Sequence, residues 1–266
     1  VSPRLDAELA ARGLARSRSH AAQLIAAGLV SVDGRAVVKP STPVAESHVL
    51  DVAGDDHYVS RAAHKLLAAL DAFPIDVDGR VALDLGASTG GFTQVLRERG
   101  ARPVMAVDVG HGQLSTVVAS DPHVVSVEGY NVRFMTADTL AAATGVVERP
   151  RIVTGDLSFI SLAHVLPAIV ATAEPTAEIV LLVKPQFEAG RTAVKGGLVT
   201  DPAVRSDAVH GVLWAAWDVG LRTAGIISSP VVGTHGNQEY VAWFSADHGA
   251  DPSEWESTVT RLTGSR

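Results

Sequence analysis

Two lysines and two acids, scattered over most of a 266-residue chain, carry the chemistry that its sequence can offer: Lys65, Asp156, Lys184 and Glu239. Asp156 and Lys184 end apolar, strand-like runs, Glu239 precedes one, and Lys65 lies in a helical stretch, so a single sheet can gather all four at one edge. A solvated lysine has a pKa near 10.4. Burial or a second ammonium lowers it and adjacent carboxylates raise it, so such a cluster can hold or move a proton. Residues 79–92, GRVALDLGASTGGF, supply the neighbouring feature. An apolar run ends in Asp84 and a glycine-rich turn, and residues 104–109, VMAVDV, form a second run ending in Asp108. That is the layout of a nucleoside-cofactor pocket.

The glycines at 86, 90 and 91 do not have the G-x-G-x-x-G spacing of a dinucleotide site, and there is no G-x-x-x-x-G-K-[ST] phosphate loop. Glycine here lets the backbone approach a ligand closely. Asp108, at the second strand end, is placed to accept hydrogen bonds from ribose hydroxyls, although the same residue could simply cap a helix. Glu128 to Asn131, after the third run, is the natural edge for adenine.

These groups need a parallel sheet to position them. From Val81 onward, apolar runs (VALDLG, PVMAVDV, HVVSVE, RIVTGD, EIVLLVK, residues 224–228 and YVAWFSA) alternate with helical stretches at 91–99, 113–119, 135–143, 160–172 and 201–219. Nearly continuous apolar strands imply burial on both faces, hence an α/β, mostly parallel sheet covered by helices on both sides. In such sheets ligands sit at the carboxyl ends of the strands, where the winding reverses. Residues 60–67, SRAAHKLL, begin a helix that turns Leu66, Leu67 and Leu70 inward. The four tryptophans, Trp214, Trp217, Trp243 and Trp255, read as packing residues.

With 47% hydrophobic and 19% charged residues a packed core is expected, and the absence of cysteine removes disulfides and thiolate metal sites. His111, His123 and His210 fit no metal spacing, so no metal is expected. The start of the chain has no apolar signal core, and no run approaches the roughly 18 apolar residues of a membrane span. A cytoplasmic protein is therefore expected, and nothing calls for an obligate dimer. The net charge of −7 argues against a wholly basic protein, but residues 1–40 hold six basic against three acidic residues. A basic head on an acidic body suggests that the head meets a polyanion.

In that head, Leu5, Leu9, Ala10 and Leu14 fall at helical spacing, with Gly13 as a stop. Ser17 or Ser19 can cap a second helix whose apolar face is Ala21, Leu24, Ile25 and Leu29. LVSVDGRAVV then reads as a hairpin turning at Asp33-Gly34. Lys39-Pro40 and residues 49–52 suggest further short strands. The pattern RLDxxLxxxGLxxSRxxAxxLIxxGxVxVxG resembles the S4 RNA-binding domain. That resemblance implies an α+β unit at residues 1–53 and a linker at 54–59. It also implies that Arg4, Arg16, Arg18, Arg35 and Lys39 contact RNA phosphates.

For residues 60–266, the motifs SRAAHKL, GDLSFISL, VKPQFE, GGLVTDP and GNQEY, in that order, resemble the TlyA family. This family comprises haemolysin-like proteins and ribosomal RNA 2'-O-methyltransferases with an FtsJ (RrmJ)-like catalytic domain. The resemblance implies a class I methyltransferase domain with a Rossmann-like, mixed, mostly parallel seven-stranded sheet, using S-adenosylmethionine (SAM). It implies a Lys65–Asp156–Lys184–Glu239 tetrad, in which Lys184 binds and helps deprotonate a ribose 2'-hydroxyl. Asp84, Gly86, Ala87, Ser88, Thr89, Gly90, Gly91, Phe92, Asp108, Glu128 and Asn131 are then the cofactor-binding set. The substrate implied is cytidine in ribosomal RNA or ribosomal subunits, with an effect on sensitivity to capreomycin-type antibiotics. Phe187 is placed to stack on a base or to pack in the core, and His235-Gly236-Asn237 suits a mobile rim. Rival readings are a membrane-active cytolysin, a non-catalytic RNA-binding protein that senses SAM, and, more distantly, a nicotinamide dehydrogenase.

Overall fold

The computed structural model describes the chain apart from residues 1, 2, 13, 16, 46, 53–56, 191–193, 195, 234, 235 and 266 and the side chains of residues 36 and 51. The expected helix stop at Gly13, the phosphate contact at Arg16, most of the linker and the rim residue His235 lie outside the described residues. The chain divides into two compact units, Val1–His57 and Tyr58–Arg266. Among the described residues, no helix is long and apolar enough to cross a membrane, and no cluster of His, Asp and Glu could hold a metal.

The first unit contains α1 (Leu5–Ala11), α2 (Arg18–Ala26), β1 (Val30–Val32), β2 (Arg35–Ala36) and β3 (Leu50–Val52). Ser17 caps α2 by accepting the His20 N–H. Leu5, Leu9, Ala21, Ile25 and Val30 form its core. Asp33 and Gly34 both adopt positive φ (51° and 77°). The two-residue loop between Val32 and Arg35 is therefore of the type that matches strand twist. Two expectations fail. Lys39-Pro40 is not a strand: proline lacks an N–H for a ladder, and Thr42 N–H instead closes a turn onto the Lys39 carbonyl. Leu29 is exposed, because Gly28 (φ 73°) turns the chain away before it.

The second unit runs α3 (Ala63–Ala72), β4 (Ala82–Leu85), α4 (Gly91–Glu98), β5 (Val104–Val107), α5 (Thr116–Ala119), β6 (Val124–Val127) and α6 (Ala137–Thr144). It continues with β7 (Ile152–Gly155), α7 (Leu166–Thr172), β8 (Glu178–Val183), α8 (Pro185–Glu188), α9 (Pro202–Asp218), β9 (Thr223–Ser228), β10 (Tyr240–Phe244) and α10 (Glu256–Thr263). All seven expected strands join one sheet in the order β6-β5-β4-β7-β8-β10-β9. β4 to β8 are parallel, and β10 runs antiparallel to β8 and β9. β4, β5, β7, β8 and β10 are buried along their whole length. Each fully buried leucine such as Leu83 or Leu85 contributes about 1.5–3 kcal/mol relative to exposure.

Three helices start three or more residues later than the sequence suggests. α3 begins at Ala63, α5 at Thr116 and α7 at Leu166, each preceded by loop or, before α7, by a 3₁₀ turn at Leu162–His164. Trp214 and Trp217 are not core residues. α9 buries Val209, Val212, Leu213 and Ala216, and the two indoles fall off that face, 42% and 36% exposed. Trp243 is buried as expected, its indole N–H donating to Glu178 at 2.6 Å.

Candidate active site

The chain winds outward from β4 to β5 and β6, then crosses back to β7 and β8 on the other side of β4. The crevice at this reversal lies between the carboxyl ends of β4 and β7, where the glycine turn and Asp156 emerge. Lys184 leaves the end of β8 one strand further on. Glu239 precedes β10, and because β10 is antiparallel its start lies at that same sheet edge, with Tyr240 paired to Val183. Lys65, in the first turns of α3, completes the group.

Lys65 Nζ lies 3.0 Å from Asp156 Oδ2 and 2.7 Å from Glu239 Oε2. Lys184 Nζ lies 2.7 Å from Asp156 Oδ1, an ion pair whose angle misses hydrogen-bond geometry, and donates to Ser158 Oγ at 2.8 Å. Two lysines and two acids thus alternate through contact, all largely buried. Burial works against the charge of Lys65, but Asp156 and Glu239 outweigh it and its pKa is raised. Burial likewise works against ionised Asp156, but Lys184 and Lys65 prevail and its pKa is lowered.

These four side chains share a cavity of ≈ 650 Å³ with Gly86, Ala87, Ser88, Thr89, Gly91 and Phe92. The turn is possible because Gly86 takes φ 75°, where an added Cβ would stand 3.1 Å from the Leu157 side chain. Gly90, with φ 96°, is the N-cap of α4 and does not line the cavity.

A narrower recess, lined by Ala87, Ser88, Asp108, Gln113 and Glu128, lies along the same turn. Asp108 accepts backbone N–H groups from Ser88 at 2.8 Å and Gly110 at 2.7 Å, one on each carboxylate oxygen. It therefore ties two turns together, and each oxygen keeps a further lone pair for a ligand. Glu128 accepts the Gly112 N–H at 2.7 Å.

Two further expected cofactor residues are brought to neither the cavity nor the recess. Asp84 is 1% exposed, accepting hydroxyl hydrogens from Thr93 at 2.7 Å and Thr154 at 3.1 Å. Burial pushes its carboxyl up to about 6 against the pull of those two hydroxyls. Asp84 braces β4 against α4 and β7 rather than facing a ligand. Asn131 instead accepts the Arg133 N–H at 3.1 Å and caps a 3₁₀ turn. Its short side chain satisfies its own backbone, the usual preference of Asn at such positions.

The structure also adds residues. Ser60 and Arg61 line the cavity, as do Ser158 and Phe159. All four lay inside the SRAAHKL and GDLSFISL motifs, without a spacing rule that assigned them a task. Phe159 adopts φ 65°, is 91% exposed, and its ring lies 5.2 Å from that of Phe187. Glu188 steadies this loop by accepting from Ser161 Oγ at 2.6 Å and Leu162 N–H at 3.0 Å. Asn237, 3% exposed, accepts the Val199 N–H at 2.9 Å and donates to the Gly197 carbonyl at 2.7 Å, joining two loops of the cavity wall.

In the first unit, Arg4 and Arg18 both lean on Asp6, at 2.9 and 3.4 Å, with 52% and 63% of their side chains exposed. Arg35 and Lys39 are exposed.

A parallel sheet with an antiparallel hairpin at one side and a cavity at the switch point is the architecture of Rossmann-like methyltransferases. Residues 58–246 match the FtsJ-like methyltransferase model and residues 3–50 the S4 domain. The chain belongs to the FtsJ-like methyltransferase family. It is 50% identical over 243 residues to the 16S/23S rRNA (cytidine-2'-O)-methyltransferase TlyA of Mycobacterium tuberculosis, covering 90% of this chain and 88% of that one. It is 37% identical to Hemolysin A of Brachyspira hyodysenteriae, covering 91% and 99%. A hemolysin-named solved structure from Streptococcus thermophilus superposes with a TM-score of 0.76 at 34% identity, covering 99% and 96%.

Proposed function

We propose that this chain transfers the methyl group of SAM to the ribose 2'-oxygen of a cytidine in ribosomal RNA, acting as a cytoplasmic monomer. The observation that carries this reading is a single cavity walled on one side by the glycine turn and on the other by Lys65, Asp156, Lys184 and Glu239. The similarity to the M. tuberculosis enzyme supports the substrate.

The residues suit the donor. Residues 86–89 border the cavity, and Asp108 at the adjoining recess keeps acceptor capacity for ribose hydroxyls. When bound, SAM supplies a methyl group already activated on a sulfonium. The chain's own task is to align the 2'-oxygen and remove its proton as the O–C bond forms. Lys65, with raised pKa and a carboxylate on either side, remains an ammonium and is not the base. Lys184 touches one carboxylate oxygen and one hydroxyl, and in its neutral form takes the proton from the 2'-hydroxyl. Asp156 orients it, and Lys65 and Glu239 keep Asp156 in place.

The first unit serves as an RNA grip, with Arg4, Arg18, Arg35 and Lys39 offered to phosphates, and the second carries out the transfer. The test is incubation of unmodified ribosomal subunits with labelled SAM, followed by mapping of the label. Label is expected on a cytidine ribose. Label on a base, or NAD binding in preference to SAM, overturns the reading.

A further inference from the structure

Lys184 Nζ meets two oxygens, and they constrain it differently. Asp156 Oδ1 lies 2.7 Å away but off the angle of a hydrogen bond. Ser158 Oγ accepts a hydrogen from it at 2.8 Å. The carboxylate therefore holds the nitrogen in place by charge and leaves rotation about its last carbon–nitrogen bond open. A hydrogen bond weakens steeply as its angle bends, so Ser158 limits that rotation. An ammonium, with three equivalent hydrogens, is indifferent to the constraint. A neutral amine is not, because it has two hydrogens and one lone pair, and only the lone pair takes a proton. With one hydrogen on Ser158 and the other drawn to Asp156, the lone pair is left the remaining tetrahedral direction. Lys184 and Ser158 both border the catalytic cavity.

Ser158 is an exposed residue of the loop after β7, and its hydroxyl makes no other hydrogen bond among the described residues. The fold does not use it, yet the loop that carries it is anchored. Glu188 accepts from Ser161 Oγ at 2.6 Å and from the Leu162 N–H at 3.0 Å. Glu188 belongs to α8, which starts at the residue after Lys184. One short segment thus carries both the amine and the carboxylate that ties down the loop bearing its acceptor. Between these two ties, Phe159 takes φ 65°. A residue with a side chain keeps such a backbone only where its surroundings hold it.

We propose that Ser158 is a positioning residue for Lys184, its hydroxyl accepting one Nζ hydrogen and so setting the direction of the lone pair that takes the 2'-hydroxyl proton; this inference rests on the RNA-ribose reading of the same cavity. The 2'-oxygen bonds to the methyl carbon as the carbon–sulfur pair leaves with sulfur. The O–H pair stays on that oxygen, and the proton ends on Nζ. Ser158 touches none of the reacting atoms and acts only through Lys184.

The test has two arms, each comparing the full chain with Ser158→Ala and Ser158→Thr. The first uses nitrogen-labelled lysine and follows the exchange of the Lys184 ammonium hydrogens with water by NMR, at a pH where the amine is protonated. The signal is assigned by its loss in Lys184→Ala. Exchange is expected to be about tenfold faster in Ser158→Ala, the scale of one lost hydrogen bond to a charged group, with Lys65 unchanged. The second arm measures methyl transfer from labelled SAM to ribosomal subunits. Ser158→Ala is expected to lower kcat about tenfold while KM for SAM and for RNA stays the same, the pattern of a loss confined to the reacting step. Ser158→Thr, which keeps the hydroxyl, is expected to restore both readouts. Exchange unaffected by Ser158→Ala, a full kcat in that variant, a loss carried by KM alone, or a Ser158→Thr that restores neither readout overturns the proposal. Wild-type Lys184 hydrogens that exchange as fast as those of an exposed lysine overturn it without any variant. The first arm needs neither SAM nor RNA, so it stands apart from the enzyme reading. Slow exchange without transfer in the wild type removes that reading and leaves Ser158 holding Lys184, and transfer with fast exchange does the reverse.

Discussion

In the N-terminal unit, Arg4 and Arg18 keep 52% and 63% of their side chains exposed while sharing one buried carboxylate, Asp6. In the C-terminal unit, Lys65 and Lys184 keep 9% and 8%, and each carboxylate they touch is also largely enclosed. The same pairing of cations with acids therefore serves two physical ends. Exposed cations act at a distance, respond to salt and tolerate replacement one at a time. Enclosed ions lose their hydration and depend on their partners, so they fix geometry and fail together. A polyanion can be gripped by the first kind of site, whereas a proton is moved at a defined atom by the second.

The sharpest way to break this contrast is Lys184→Ala. We expect methyl transfer to fall by about 10²–10⁴-fold, with SAM affinity nearly unchanged by calorimetry. Full turnover would show that Lys184 carries no step. Next in size is Lys65→Met, which leaves Asp156 and Glu239 enclosed without their shared cation. A loss of about 3–5 kcal/mol is expected in denaturant unfolding, partly recovered by adding Glu239→Gln. A loss below about 1 kcal/mol, the range of an exposed pair, would mean that the array is wetter than its burial implies.

The pH dependence of the two units sharpens the comparison further. Asp156 has a lowered pKa, so its contribution to stability is present above its ordinary value of 3.8 and is lost as pH falls through the folded value. Lys65 has a raised pKa, so its contribution is complete below 10.5 and is lost as pH rises through its folded value. Lys65 and Asp156 should hold their charges throughout the neutral range, so neither adds a slope to thermal stability there, whereas Lys65→Met is expected to add one. Asp84 has the opposite sign from Asp156. Its carboxyl, raised to about 6, opposes folding when ionised, and that penalty fades as pH drops from 6 toward 3.8.

In the N-terminal unit the effects should be smaller. Neutralising Arg18 and Arg35 together should weaken RNA binding for all sequences alike, leaving turnover at saturating RNA unchanged. The salt slope should fall by about 0.7–0.9 for each phosphate that is no longer neutralised. A drop in turnover would give these arginines a part in the chemistry. Smallest of all, Asp6→Asn should cost about 1 kcal/mol or less. Its carboxyl is drawn down to about 2, chiefly by hydrogen bonding to Arg4. That contribution is present above the ordinary 3.8 and is lost as pH falls toward 2.

The strands were readable because runs such as EIVLLV are apolar without interruption, and only a sheet covered on both faces buries every side chain of such a run. The four charged residues of the cavity were singled out by the resemblance of their motifs to the TlyA family, and their places at strand ends, or on the helix ahead of β4, allowed one sheet to gather them. Asp84 and Asn131 were misplaced for a shared reason: an acid or amide at a strand end looks the same in sequence whether it meets a ligand or its own backbone and threonines. Trp214 and Trp217 misled because tryptophan is usually buried, and only the packing of α9 against its neighbours shows which face is covered.

By itself, the chain's order of apolar and polar residues determined the parallel sheet and the edge at which chemistry gathers, because periodicity and turn residues act over a few positions. Tertiary structure alone decided which oxygen meets which nitrogen. The antiparallel return of β10 sets Glu239 at the end of the sheet where Lys184 emerges, and the enclosure of that corner makes the Lys65 and Asp156 charges depend on each other. It also set the Ser158 hydroxyl on the Lys184 nitrogen. Such contacts join residues up to 174 positions apart, and no local pattern encodes a distance that only the folded backbone creates.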